Sequence, residues 1–390
     1  MAIPRPPDEE LFEEDTDEDL RVSGMGAMLL DRRRLTFGVL LVLALIAAIY
    51  VLFPRVVGLN GEIARISDAA WYWAAIGVAS HVAASGAYVA HFRGVLGGNA
   101  SAGVRKRLDA RASYQITMAG LAATRIFSAA GAGGIVLTYW ALRKAGMPRR
   151  RSACRMVAFL VLMYSVYGVA LILFGVLLRT GVLPGDAPVA GTIVPAGLPG
   201  GAMLIAGLIA LIPGDLERRL SSFRGKGRIA RGAAKLAPVP ATAATGLRTA
   251  IDYVRHPRRG ALAVGGAVGF WAANIGVLWA SFEAFGGSVP FGVLVQGFFV
   301  GMAANLIPSP AGGVGSVDAG MIGAFVLFGI PAGIVFPAVL TYRVIAFWLP
   351  IPPGVVAFFQ LRRTVARWDA GRQGYTSESK VTAEAGSGSV

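Results

Sequence analysis

Apolar residues in this chain are gathered into long blocks separated by short basic clusters. The blocks cover about 35–53, 70–91, 153–178, 199–214, 261–285 and 333–361. A helix rises ~1.5 Å per residue, so about 20 residues cross a hydrocarbon core ~30 Å thick. Six full membrane spans are predicted. Two further regions, 113–142 and 290–330, do not suit simple crossing. Residues 113–142 begin beside Arg111 and end beside Arg143 and Lys144, which places both ends on one side. They are too few for two spans and a turn, but enough for a helical hairpin that dips in and returns. Residues 290–330 pose the same problem from the other side, because the span before them starts at a basic loop and the span after them ends at Arg362, Arg363 and Arg367. The pattern therefore predicts an all-α, polytopic integral membrane protein with about six full spans and two re-entrant hairpins inserted from opposite faces.

Composition agrees with that solvent: 55% of residues are hydrophobic and 15% charged, whereas about a quarter of an ordinary soluble domain is charged. Net charge is +15, unevenly spread. Nine of the 22 acidic residues lie between Asp8 and Asp19, and from Leu20 onward 36 bases face 13 acids. Residues 1–31 are expected to form a disordered acidic tail, 32–365 the membrane domain, and 366–390 a second disordered tail. Arg32, Arg33 and Arg34 precede the first span while only Arg55 and Arg65 follow it, so both termini are expected on the cytoplasmic face of the cell membrane. The first span follows an acidic tail and lacks a cleavage site, so it is expected to be retained. A basic cytoplasmic loop is predicted over 215–260. Within it Leu247, Ile251 and Val254 recur at helical spacing beside Arg248 and Arg255, the pattern of an interfacial helix.

The bases form clusters between spans with no recognition helix, so nucleic acid is not an expected partner. Cys154 is the only cysteine, and His81, His91 and His256 do not fall at metal-ligand spacing, so no cofactor or metal is expected. No serine has a plausible His and Asp in one compartment, and no phosphate loop carries its lysine, so no catalytic residue is assigned.

An internal repeat supports the pairing of the hairpins. Ala122–Gly134 aligns without gaps on Ala303–Gly315 with seven of 13 positions identical, and each copy leads through a short apolar helix to a Gly-apolar-Pro turn, Gly146-Met147-Pro148 and Gly329-Ile330-Pro331. Copies of opposite sidedness make an inverted repeat, an architecture that places a transporter site near the midplane.

The chemistry points to the same places. Ser309-Pro310-Ala311-Gly312-Gly313-Val314-Gly315 breaks a helix inside the membrane, and the half-helix after it turns its positive end inward, suited to an anion. Close packing through small residues is the alternative use of these glycines, as it is for Gly131, Gly133 and Gly134. Arg343 sits in the apolar run LTYRVIAFW about 19 residues before Arg362, too deep to reach the interface easily, and Arg125 lies near the tip of the first hairpin. A guanidinium there holds phosphate bidentately or ties down orphaned carbonyls. Asp318 either caps its half-helix or pairs with Arg343 or Arg125. Glu283 and His81 are further positions that could line a water path.

The residues also resemble a known family. Ala119–Leu173 and Gly297–Arg363 are similar to the lysylphosphatidylglycerol synthase transmembrane, or flippase-like, family. The most specific stretch is Asn305 to Gly315, followed by Gly329-Ile330-Pro331 and Tyr342-Arg343. The family pattern carries a Glu-Arg pair and an Asp one turn later after the first hairpin; Leu162-Met163-Tyr164 and Tyr167 stand here instead. The resemblance implies a stand-alone member moving a phospholipid or lipid-linked headgroup, without the soluble aminoacyl transferase and without synthase activity. Arg125, Arg343, Asn305, Ser309, Gly312, Gly313, Gly315 and Asp318 are the candidate lipid- or substrate-binding residues. Expected partners are anionic or zwitterionic membrane lipids, with a second copy or an envelope-synthesis protein as further candidates. A membrane scaffold or regulator of cell-envelope synthesis is the rival function, and an intramembrane lipid-modifying enzyme a third.

Overall fold

Helix is the only regular structure among the described residues. The computed structural model describes 71–97, 101–126, 132–210, 238–306 and 313–387. The expected first span, 35–53, and the acidic tail lie outside them. Twelve α-helices follow in order: α1 Trp71–Phe92, α2 Ala102–Arg107, α3 Ala110–Ile126, α4 Ala132–Lys144, α5 Arg149–Arg179, α6 Val189–Ala210, α7 Pro238–Arg255, α8 Pro257–Ala284, α9 Phe291–Ala303, α10 Ser316–Leu327, α11 Ala332–Arg343 and α12 Ile351–Ser387. Among the described residues five stretches are long and apolar enough to cross a membrane: Trp71–Gly97, Arg149–Arg179, Val189–Ile209, Pro257–Ala284 and Ala332–Ala370. The last joins α11 to α12 through a π-helical turn, Val344–Trp348.

Four of these match the expected spans closely. The fifth, α6, starts about ten residues earlier than 199, because Pro195 and Pro199 lie inside the helix rather than before it. Membrane helices tolerate interior prolines where neighbours satisfy the freed carbonyls. At the other end, Trp368 packs against the core and Asp369 pairs with Lys144 at 3.4 Å. Helix α12 thus continues past 366, where an aromatic and an ion pair hold it against the bundle.

The regions 113–142 and 290–330 are helical hairpins, α3–α4 and α9–α10. Asp109 caps the first, its Oδ1 accepting the Ala112 N–H at 2.7 Å. In both, small residues bring the two helices into contact. A Cβ on Gly134 would lie 2.6 Å from the Gly120 carbonyl oxygen, and one on Gly320 2.8 Å from that of Gly301. Lipid supplies no hydrophobic force between helices, so such close approach is what membrane helices use instead. Both return helices end alike: Gly146 and Gly329 take φ of 91° and 80°. Met147 N–H donates to Leu142 O at 3.1 Å and Ile330 N–H to Phe325 O at 3.0 Å. This is the Schellman turn, and a proline then opens the next span in each copy. The repeat read in the sequence is therefore a repeat of structure.

Buried polar bonds tie the spans together. Trp271 on α8 donates to the Met163 carbonyl on α5 at 2.9 Å, Tyr167 on α5 donates to the Phe299 carbonyl on α9 at 2.6 Å, and Gln296 on α9 donates to the Gly191 carbonyl on α6 at 2.9 Å. The core falls into two clusters. One surrounds α9–α10 with Trp271, Phe282, Phe298, Phe325 and Tyr342; the other surrounds α3–α4 with Phe92, Leu96, Ile116, Leu142 and Leu361. Helix α7 joins the second through Ala250 and Tyr253 and also buries Ala244 and Leu247, while Val254 points outward. Its buried stripe packs on α5, where a Cβ on Gly246 would meet the Cys154 carbonyl at 2.7 Å.

Candidate functional site

The described residues flanking both hairpin tips, Arg125 in the first and Gly313 and Asp318 in the second, lie against one turn of the α11–α12 span. Along that span, α10 runs back from the 328–331 turn so that its start, at Asp318, faces Arg343. The first hairpin approaches from the opposite end: Gln115 near the start of α3 accepts a bond from Thr364 at 2.9 Å, and Arg125 near its tip reaches Ala346. The two hairpins therefore enter from opposite ends of a single span and meet at its π-helical turn.

The local sequence explains why polar groups gather there. In a regular helix the Ala346 carbonyl would accept from residue 350, but Pro350 has no N–H. Arg125 Nη2 donates to that carbonyl at 3.0 Å. Four residues after Arg343 on the same face stands Phe347, and both guanidinium carbons lie over its ring, Arg343 at 4.3 Å and Arg125 at 5.2 Å from the centroid. Two cations thus share one aromatic ring, each contact typically worth about 0.5–2 kcal/mol.

Arg343 is 5% exposed. Its Nε lies 2.6 Å from Asp318 Oδ1, as an ion pair rather than an aligned hydrogen bond, and its Nη2 donates to the Gly313 carbonyl at 3.1 Å. The other carboxylate oxygen of Asp318 accepts the Gly315 N–H at 2.9 Å. Asp318 therefore performs both of the roles left open for it, capping α10 and pairing with Arg343. Gly313 and Gly315 take φ of 96° and 86°, the left-handed region that favours glycine. Asn305, exposed at the end of α9, lies over Gly313: a Cβ there would meet Asn305 Oδ1 at 2.7 Å. Ser309 and Gly312 lie outside the described residues.

Arg125 differs from Arg343 in having no carboxylate against it among the described residues. Its Nη1 is buried and unbonded. His81 on α1 also belongs here. It lies one turn beyond Gly77, where a Cβ would touch Ile345 at 3.0 Å, and α1 packs on both α3, which carries Arg125, and the π-helical turn. The structure thus brings together Arg125, Arg343, Asp318, Gly313, Gly315 and Asn305, and adds Phe347 and the Ala346 carbonyl, neither of which the sequence reading had singled out. Both left a signal: an aromatic four residues after a membrane arginine, and a proline four residues after a carbonyl.

Beside the second tip an apolar cleft of about 460 Å³ opens between α5, α6 and the end of α9, lined by Tyr164, Tyr167, Pro199, Met203 and Leu306 among others. Tyr164, one of its lining residues, is 61% exposed.

A model of the lysylphosphatidylglycerol synthase transmembrane region matches residues 35–354. The chain belongs to that family. It is also 29% identical over 86 residues to a "UPF0104 membrane protein" of Methanothermobacter thermautotrophicus, a stretch that is 22% of this chain and 26% of that protein. The match therefore spans about a quarter of that relative's length. No solved structure matches the chain significantly. Family and apolar helices together make this a multi-pass membrane protein of the lysylphosphatidylglycerol synthase transmembrane family.

Proposed function

We propose that the protein moves an anionic or zwitterionic phospholipid, or a lipid-linked headgroup, between leaflets of the cell membrane, with the headgroup passing the arginines at the meeting of the hairpin tips. One observation carries this reading: a buried guanidinium, Arg343, and a half-buried one, Arg125, meet over one ring at mid-span, and among the described residues one carboxylate offsets only the first. An unpaired charge in a membrane interior is costly, so it commonly serves a ligand or pathway. The residual positive charge, the planar donors of Arg125 and the N-terminal end of α10 all favour phosphate. The cleft beside Leu306 offers apolar surface for acyl chains while the headgroup is held. In this reading the two hairpins are re-entrant, entering from opposite faces, and both termini are cytoplasmic.

The topology has a direct check. With Cys154 replaced by Ser, single cysteines at Arg150, beside the base of the first hairpin, and at Phe291, at the base of the second, are expected to react with a membrane-impermeant maleimide from the cytoplasmic and outer faces respectively. Reaction of both from one face removes the inverted arrangement.

Transport itself is tested at Arg125. Arg125→Gln removes the unpaired charge while sacrificing one hydrogen bond to Ala346, a modest loss of about 1 kcal/mol. In vesicles carrying the full chain, leaflet-specific quenching of a labelled phosphatidylglycerol is expected to slow at least tenfold, with melting little changed. Unaltered lipid movement in this variant ends the transport reading; a scaffold is the function that survives it.

A further inference from the structure

The two histidines of α1 differ. His91 is fully buried, and its ring nitrogens face the carbonyls of Ala263 and Phe159, the latter at 3.1 Å, tying α1 to α8 and α5. His81, on the same helix and 8% exposed, has neither Nδ1 nor Nε2 bonded to any of the described residues. A buried polar group without a partner typically costs about 1–3 kcal/mol, and native folds rarely carry one without a reason. Arg125 also has a buried, unbonded donor, Nη1; α1 packs on both α3 and the π-helical turn, Gly77, one turn before His81, lies against Ile345, and Arg125 donates to the adjacent Ala346 carbonyl, so both groups flank the same turn of the α11–α12 span.

Building on the proposed lipid site, we infer that His81 and Arg125 together form its headgroup pocket, which takes a phosphodiester. Arg125 supplies a charge and a planar donor pair. His81 supplies an N–H whichever nitrogen carries the proton, and its other nitrogen accepts from a hydroxyl or ammonium on the headgroup. The charge balance sets the class of phosphate. Asp318 offsets Arg343, so one guanidinium remains, matching the single charge of a phosphodiester rather than the double charge of a monoester. Arg343 and Asp318 hold the second hairpin tip, and the other tip holds the ligand.

The test uses the purified full chain in detergent, with native mass spectrometry reading the binding of three lipids of equal chain length: phosphatidylglycerol, phosphatidic acid and diacylglycerol, at pH 8. The wild type is expected to bind phosphatidylglycerol at least tenfold more tightly than diacylglycerol, and more tightly than phosphatidic acid. His81→Leu is expected to lose about tenfold in phosphatidylglycerol affinity while melting at or above the wild-type temperature. His81→Gln, which keeps a donor and an acceptor, is expected to retain more. Wild-type affinity in His81→Leu, alongside a loss in Arg125→Gln, overturns the pocket assigned to His81 and leaves the lipid site standing. A wild type that does not distinguish phosphatidylglycerol from diacylglycerol overturns both. Tighter binding of phosphatidic acid overturns the phosphodiester assignment. If both His81 variants fail to fold, the histidine is structural and the inference falls.

Discussion

Arg343→Leu is expected to lower stability by about 3–5 kcal/mol, the usual cost of leaving one member of a buried ion pair alone. Asp318, only 8% exposed, would keep a carboxylate with no cation against it, and the Gly313 carbonyl would lose the donor that now reaches it at 3.1 Å. Those two losses fall on the second hairpin tip, which has no hydrophobic force to hold it in a lipid solvent. Arg343→Lys keeps a charge near Asp318, but a single ammonium cannot reproduce the fork that reaches carboxylate, carbonyl and ring together, so an intermediate loss is expected. The pairing itself is isolated by adding Asp318→Asn. The amide oxygen still accepts from Gly315 N–H, and the stranded charge is gone, so the double variant should recover much of what Arg343→Leu alone loses. Melting in detergent measures all four proteins. A double variant no more stable than Arg343→Leu would show that the ion pair does not anchor the tip. A single Arg343→Leu that melts above the wild type would mean that Arg343, like Arg125, is held at a cost to the fold.

The contrast between the two arginines was only partly legible in the sequence. Depth in an apolar run marks a membrane arginine as unusual, and by that measure Arg125 and Arg343 look alike. What separates them is a partner. Asp318 lies 25 positions from Arg343 and was already a candidate for pairing, but nothing local says that it chooses Arg343 over Arg125. Convergence of Arg125 with Ala346 joins residues 221 apart, a fact of tertiary packing. The hairpins were legible because charge and length constrain them together: too few residues to cross twice, with basic clusters fixing their ends. The start of α6 was not, since Pro195 and Pro199 read as boundaries in water and are tolerated within a membrane helix. In α7 the large residues Leu247, Ile251 and Val254 suggest an interfacial face, whereas the buried stripe is Ala244, Leu247, Ala250 and Tyr253. Between membrane helices small residues mark the contact, so a reading weighted towards large apolar side chains picks out the wrong edge of the stripe.

The turn at Gly313 should tolerate a side chain less well than Gly315 or Gly323, and a graded series separates the reasons. Gly323 sits exposed in α10 with nothing within 4 Å of a Cβ, so Gly323→Ala is expected to raise stability slightly, by about 0.5–1 kcal/mol, through helix propensity alone. Gly315 has φ of 86° and equally open surroundings, so Gly315→Ala bears only the backbone strain, roughly 1–2 kcal/mol. Gly313→Ala bears that strain at φ of 96° and also drives a methyl group to 2.7 Å from Asn305 Oδ1 and 2.9 Å from a Val317 methyl. Overpacking of this kind adds about 1–3 kcal/mol. Valine is worse, because a β-branched side chain at positive φ collides with its own backbone, and the displaced turn carries away the carbonyl that Arg343 uses. The expected order of melting temperature is Gly323→Ala, wild type, Gly315→Ala, Gly313→Ala, Gly313→Val, with the last losing lipid movement as well as stability. If Gly313→Val melts with Gly323→Ala, the chain after the break is a continuous helix, and the carbonyl that anchors Arg343 is not supplied by a turn at all.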